Sequence, residues 1–86
     1  MKNSRYKSPW HVYIVECRDK TLYTGVTKDV AKRIKTHNAG TGCRYTRSRT
    51  PVTLRYTEGC HSRSAALKRE AGIKRLERCE KLALMK

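Results

Sequence analysis

The sequence has no long apolar run, no paired cysteines and few acidic residues, and each shortage removes a class of protein. No segment approaches the ~20 apolar residues that a membrane span needs, and the most apolar stretch is the short one around Val12–Val15. The opening MKNSRYKSPW is polar and basic and lacks the apolar centre of a secretory signal, so a cytoplasmic protein is expected. The four cysteines, Cys17, Cys43, Cys60 and Cys79, are scattered without a CxxC pair. Zinc sites present their ligands in close pairs and disulfides belong to oxidising compartments, so free, buried thiols are the expectation. No repeat or low-complexity segment is present, and 86 residues suffice for one domain with a modest core but not for two.

What is abundant is positive charge. Twenty-one Lys and Arg stand against seven Asp and Glu, a formal charge of +14. Solubility is achieved with a much smaller excess. A field of this size predicts attraction to polyanions, nucleic acid first and anionic membrane second.

Residues 1–9 read as a flexible basic arm. WHVYIVEC, from Trp10 to Cys17, alternates and is rich in β-branched and aromatic residues, as a strand requires. RDKT supplies a turn, LYTGV a second strand, and the short connection makes an antiparallel hairpin. Thr27 or Asp29 can cap a helix in which Val30, Ile34 and His37 share a face, and Asn38 or Gly40 can end it. GTGCRYTRSRTP, from Gly40 to Pro51, reads as a basic loop, and VTLRYTE, from Val52 to Glu58, as a third strand broken by Gly59. Ser62 or Ser64 caps a long second helix that either reaches about Glu80 or breaks and resumes in the final KLALMK, with residues 83–86 as a tail. The order β-β-α-β-α predicts an α+β (α/β) domain over residues 10–82, a three-stranded antiparallel sheet flanked by helices.

Several side chains are unusual for a bland domain of this design. Glu70 falls beside the apolar stripe of the second helix, where a carboxylate is costly unless paired, hydrated or bound to a cation. Its ordinary explanation is an intrahelical pair with Lys74 at i+4. Arg33, at the inner edge of the first helix, is explained in the same way by Asp29, yet its planar fork is also suited to a phosphate. His37 is either a satisfied core-edge histidine or a group that handles protons near neutrality. Tyr13 and Tyr23 lie on paired strands, on opposite faces if the hairpin loop is even in length and on one face if it is odd.

In order along the chain, HVY at 11–13, YTG at 23–25, Arg33, His37 and Glu70 resemble the signature of the GIY-YIG nuclease superfamily. The YTRSRTP and KREAGIKRL segments are similar to those of its small stand-alone members, and the resemblance covers about Trp10 to Leu82. His11 replaces the first Gly of the signature, Thr24 its second Ile, and Val26 stands where many members have Lys, with Lys28 two residues beyond.

The resemblance implies a metal-dependent DNA endonuclease acting in repair, recombination or processing, with one Mg²⁺ or Mn²⁺. It implies that Glu70 ligates the metal, that Arg33 neutralises charge developing on the phosphate, and that His37 relays a proton. A tyrosine hydroxyl, from Tyr13 or Tyr23, would orient or deprotonate the attacking water. A free tyrosine has a pKa of ~10, so a phenolate would need help from the positive field and the metal. Gly25 would leave room for the phosphate or for close packing. Lys28, Arg44, Thr46, Arg47 and Arg49 would contact the DNA backbone, with Tyr45 available to stack on a base. The expected partner is DNA, with RNA as the alternative, no membrane, and the protein a monomer or weak dimer. The competing functions are a non-catalytic DNA- or RNA-binding protein that keeps this fold, and a basic ribosome-associated protein.

Overall fold

A computed structural model describes residues 10–85. The basic arm expected over residues 1–9 lies outside the described residues. Strands β1 (Trp10–Glu16), β2 (Leu22–Thr27) and β3 (Thr53–Cys60) form an antiparallel sheet in the order β2-β1-β3. The alternation of WHVYIVE is the reason β1 is central, because it supplies apolar residues to both faces. Val12 and Ile14 face Ala66 and Ile73 on one side, while Tyr13, Val15 and Cys17 join Val52 on the other.

The first hairpin decides where the tyrosines go. Cys17 N donates to Thr21 O at 2.8 Å and Lys20 N to Cys17 O at 2.9 Å, with Lys20 in the left-handed region at φ 73°. The loop is therefore Arg18, Asp19 and Lys20, an odd number. Tyr13 pairs with Gly25, and Val15 with Tyr23. Both tyrosine side chains thus project from one face of the sheet.

Helix α1 (Val30–Asn38) packs on that face and is capped by Asp29, whose carboxylate accepts from Lys32 N. Gly40, at φ 82°, takes the left-handed position after it. Asn38 clamps the incoming third strand: its amide donates to Val52 O at 3.1 Å and accepts from Val52 N at 2.6 Å. Within the segment expected to be a loop, Arg44–Arg47 form a short helix, α2.

The opposite face of the sheet is covered by α3 (Arg63–Lys74), capped by Ser62 Oγ on Ala65 N at 3.1 Å, and by α4 (Arg78–Leu84). Of the two readings of the second helix, the structure takes the broken one: Glu80 turns back and accepts from Glu77 N at 2.8 Å, restarting the chain as a new N-terminus. Leu84 and Met85, within the expected tail, pack against the Val12 cluster. Gly59 does not end β3: it pairs with His11, and the strand continues to Cys60. The four cysteines are free, but only Cys17 is buried; Cys43 and Cys60 are half-buried and Cys79 is exposed. No helix among the described residues is long and apolar enough to cross a membrane.

Candidate active site

Tyr13 and His37 form the centre of the site. Tyr13 is 1% exposed and His37 fully buried. The phenol oxygen lies 2.8 Å from His37 Nε2, and His37 Nδ1 lies 2.7 Å from Thr46 Oγ1. Tyr23 is half-buried on the same face, its ring 6.4 Å from that of Tyr13 and 5.5 Å from the imidazole. One strand pair, α1 and α2 therefore bring three candidate proton carriers into one cluster.

Two glycines make the cluster possible. A Cβ on Gly25 would stand 2.5 Å from the Tyr13 hydroxyl and 2.6 Å from its ring carbon. The missing side chain therefore serves close packing: Gly25 is the floor on which the phenol lies. A Cβ on Gly42 would lie 2.8 Å from the Cα of His37 and collide with the imidazole. Gly42→Ala is expected to destabilise the fold by about 1–3 kcal/mol, because backbone and a buried ring must both shift. Urea unfolding measures this, and an unchanged midpoint would show that α1 and the segment after it are not held together as described.

Arg33 is held in place rather than paired with Asp29. Its guanidinium Nη2 donates to Gly42 O at 3.2 Å, and it stands near enough for its positive charge to act on the Tyr13 oxygen. Burial raises the Tyr13 pKa, Arg33 lowers it, and Cys43 and Glu70 raise it; the net shift is upward. Burial and the Arg33 charge together hold His37 below the usual imidazole value, so the ring is neutral near pH 7. Burial and Cys43 push the Tyr23 phenol strongly upward. Neither tyrosine is a phenolate in the resting protein.

Glu70 keeps the ordinary partner expected for it, with Lys74 Nζ at 3.4 Å, but it is also half-buried. Although α3 covers the other face of the sheet, the carboxylate is close enough for its charge to act on Tyr13. Among the described residues no cluster of three or more His, Cys, Asp and Glu side chains could hold an ion. The one carboxylate near the cluster is that of Glu70, beside Lys74. A single carboxylate fits a hard divalent cation such as Mg²⁺, which takes one or two carboxylates and fills its shell with water and phosphate oxygen. It does not fit a zinc-type cage.

The basic segment behaves differently from its composition. Arg44 and Arg47 are exposed and line a cavity of about 170 Å³ with Gly40, Thr41 and Cys43. Thr46, expected to touch DNA, is instead fully buried against His37. Tyr45 has both faces occupied, by the stacked Tyr23 ring at 5.7 Å and by the Arg49 guanidinium at 4.0 Å. It is not free to receive a base. Arg49 is tied to Asp19 at 3.0 Å and to Tyr45 O at 2.7 Å, so it braces the segment. Lys28 is exposed and lies 5.2 Å over the Trp10 ring. It also lines a cavity of about 230 Å³ that includes Lys32 and Arg33. Sequence reasoning missed the structural part of Thr46 and the part played by Gly42; the only signal was that both lie within ten residues of a histidine on a predicted helix.

Fold, cluster and single carboxylate together define a GIY-YIG catalytic domain, and residues 9–83 match the model of that family. The chain belongs to it. It is similar to the small single-domain UPF0213 proteins: one from Halobacterium salinarum is 58% identical over 74 residues, covering 86% of this chain and 96% of the relative. Another, from Desulfotalea psychrophila, is 55% identical over 90% of this chain and 71% of the relative. The solution structure of a UPF0213 protein from Bacillus halodurans matches with 44% identity and a TM-score of 0.56, covering 87% of this chain and 80% of that one. That of a protein from E. faecalis matches with 36% identity and a TM-score of 0.60, over 98% and 88%.

Proposed function

We propose that the protein is a divalent-metal-dependent endonuclease that hydrolyses phosphodiester bonds in DNA. The observation that carries this reading is the Tyr13 hydroxyl, held at 2.8 Å by a neutral buried histidine and acted on by the charges of an arginine and a carboxylate. A non-catalytic nucleic-acid-binding protein has use for the positive surface but none for this arrangement.

The difficulty of a tyrosine base, its high pKa, is removed by the relay. Tyr13 need not be a phenolate beforehand. It accepts a proton from the attacking water as its own proton passes to His37 Nε2. Because the ring is buried, the reacting water must arrive with the phosphate, which Arg33 draws in and whose developing charge it offsets. The two tyrosines now have separate tasks. Tyr13 shares Arg33 and Glu70, whereas Tyr23 faces Cys43. Glu70 would hold the metal, which when bound supplies positive charge that polarises the phosphate and acidifies water. Lys28, Arg44 and Arg47 would add backbone contacts that carry no sequence information.

The test is cleavage of linear, single-stranded, flapped and four-way-junction DNA, with structured RNA alongside, across pH and with Mg²⁺ or Mn²⁺. Activity on DNA is expected, falling as pH drops below the ordinary imidazole value of 6.5, because an imidazolium cannot accept the Tyr13 proton. The sign follows from the depressed His37 pKa: the active, neutral form persists at and above neutrality and is lost only on acidification. Binding to every nucleic acid with cleavage of none would transfer the case to the binding-protein reading.

A further inference from the structure

Thr46 sits in the most basic stretch of the chain, between two exposed arginines, yet it is fully buried. Its hydroxyl lies 2.7 Å from His37 Nδ1 and 3.4 Å from Cys43 Sγ. Such a buried hydroxyl must have a direction, and the surrounding groups set it. A neutral imidazole has one N–H and one lone pair. Arg33, whose charge acts on the Tyr13 oxygen, can only donate, and His37 Nε2 is the one hydrogen-bond partner of the phenol among the described residues. The phenol proton is therefore available to His37 Nε2, the partner at 2.8 Å. Nε2 must then carry the lone pair and Nδ1 the hydrogen. Thr46 Oγ1 accepts that hydrogen and has the Cys43 sulfur in range for its own.

We propose that Thr46 is a positioning residue, whose buried hydroxyl between His37 and Cys43 holds the imidazole as the Nδ1–H tautomer, so that Nε2 receives the Tyr13 proton. This rests on the nuclease reading for its purpose, though not for its geometry. The opposite arrangement, Thr46 donating to Nδ1, would place a hydrogen on Nε2 and leave the Tyr13 proton no acceptor among the described residues. In the productive arrangement the balance closes. Water gives a proton to the Tyr13 oxygen, and the original phenol proton moves to Nε2. The hydroxide oxygen bonds phosphorus as the bond to the leaving oxygen breaks, and that oxygen takes a proton from solvent water. The imidazolium formed keeps both N–H groups bonded, one to Tyr13 and one to Thr46.

Thr is suited to the task because its branched side chain is stiff, and α2 carries it on a segment that Arg49 and Asp19 brace from the other side. Cys43, three residues earlier, is also the N-cap of α2. Burial raises its pKa, but hydrogen bonds from Thr46, from Tyr23 and from the Tyr45 backbone outweigh that and lower it.

The experiment is ¹⁵N NMR of the imidazole in the full-length protein, with cleavage measured on wild type, Thr46→Ser and Thr46→Val. Wild type and Thr46→Ser are expected to show a protonated Nδ1 and a bare Nε2. Thr46→Val, which keeps the shape but not the hydroxyl, is expected to lose that preference. Its kcat should fall on the order of 10²-fold, the contribution of general acid–base catalysis, with KM for DNA unchanged and with Thr46→Ser restoring the rate. A protonated Nε2 in wild type would overturn the proposal, even if Thr46→Val does not fold. So would an unchanged tautomer and rate in Thr46→Val. The expected tautomers in a protein that cleaves nothing would support the positioning and remove the nuclease reading instead.

Discussion

Replacing Tyr13 with Phe is expected to reduce DNA cleavage by about 10²–10⁴-fold, the range that a positioned acid–base group supplies, while DNA binding persists. Phe keeps the ring on its Gly25 floor, so packing is preserved. Only the hydroxyl is lost, and with it the proton path to His37. The substitution also leaves Nε2 of a fully buried imidazole without its 2.8 Å partner. A buried polar group stripped of its partner costs about 1–3 kcal/mol. Set against a usual domain stability of about 5–15 kcal/mol, the variant remains folded, and activity and stability separate. Single-turnover cleavage and urea unfolding on one preparation measure both. Tyr23→Phe is the companion: its hydroxyl faces Cys43, so its loss should be the smaller. A larger loss in Tyr23→Phe than in Tyr13→Phe would reverse the assignment of the base.

Glu70→Gln is expected to bring cleavage to the metal-free background, the level that chelation of the divalent ion produces in the wild-type protein. Gln preserves volume and removes one charge. Among the described residues the carboxylate is paired only with Lys74, one helical turn away, and such pairs contribute about 0.3–0.5 kcal/mol. A loss of activity of several orders therefore cannot come from unfolding. Removing a negative charge from a basic surface should leave DNA binding equal or slightly tighter in the absence of metal, which filter binding at fixed salt can read. Cleavage that survives both Glu70→Gln and chelation would exclude this carboxylate as a metal ligand and with it the single-metal mechanism. Cleavage that needs metal but survives Glu70→Gln would place the ion elsewhere.

Much of the frame was legible in one dimension because it depends on short-range chemistry. Asp29 and Ser62 cap their helices as expected, since a cap is a contact over three residues. The alternation in WHVYIVE announced a strand, and its apolar residues on both faces made it central. The signature residues Tyr13, Arg33, His37 and Glu70 were recognisable from residue type and order along the chain.

The segment from Gly40 to Pro51 was misread for a physical reason. Composition averages over a stretch, whereas burial is settled residue by residue. A single turn such as α2 is too short for a hydrophobic period to show. Thr46 thus looked like its basic neighbours although it alone turns inward, and Tyr45 looked available although Tyr23 and Arg49 cover it. The break between α3 and α4 was one of two readings of the sequence, and the bond from Glu77 N to Glu80 marks where it falls.

The sequence by itself determined the positive field, the three strands, the starts of α1 and α3 and the identity of the candidate groups. Each of these follows from residue type or from neighbours a few positions away. Only the tertiary structure decided which groups meet. The hairpin register, set by a left-handed Lys20, put both tyrosines on one face. The two missing side chains at Gly25 and Gly42 let a phenol and an imidazole close to hydrogen-bonding distance. A loop threonine then came to rest against that imidazole. These are relations between residues far apart in the chain, fixed by packing, and no local pattern encodes them.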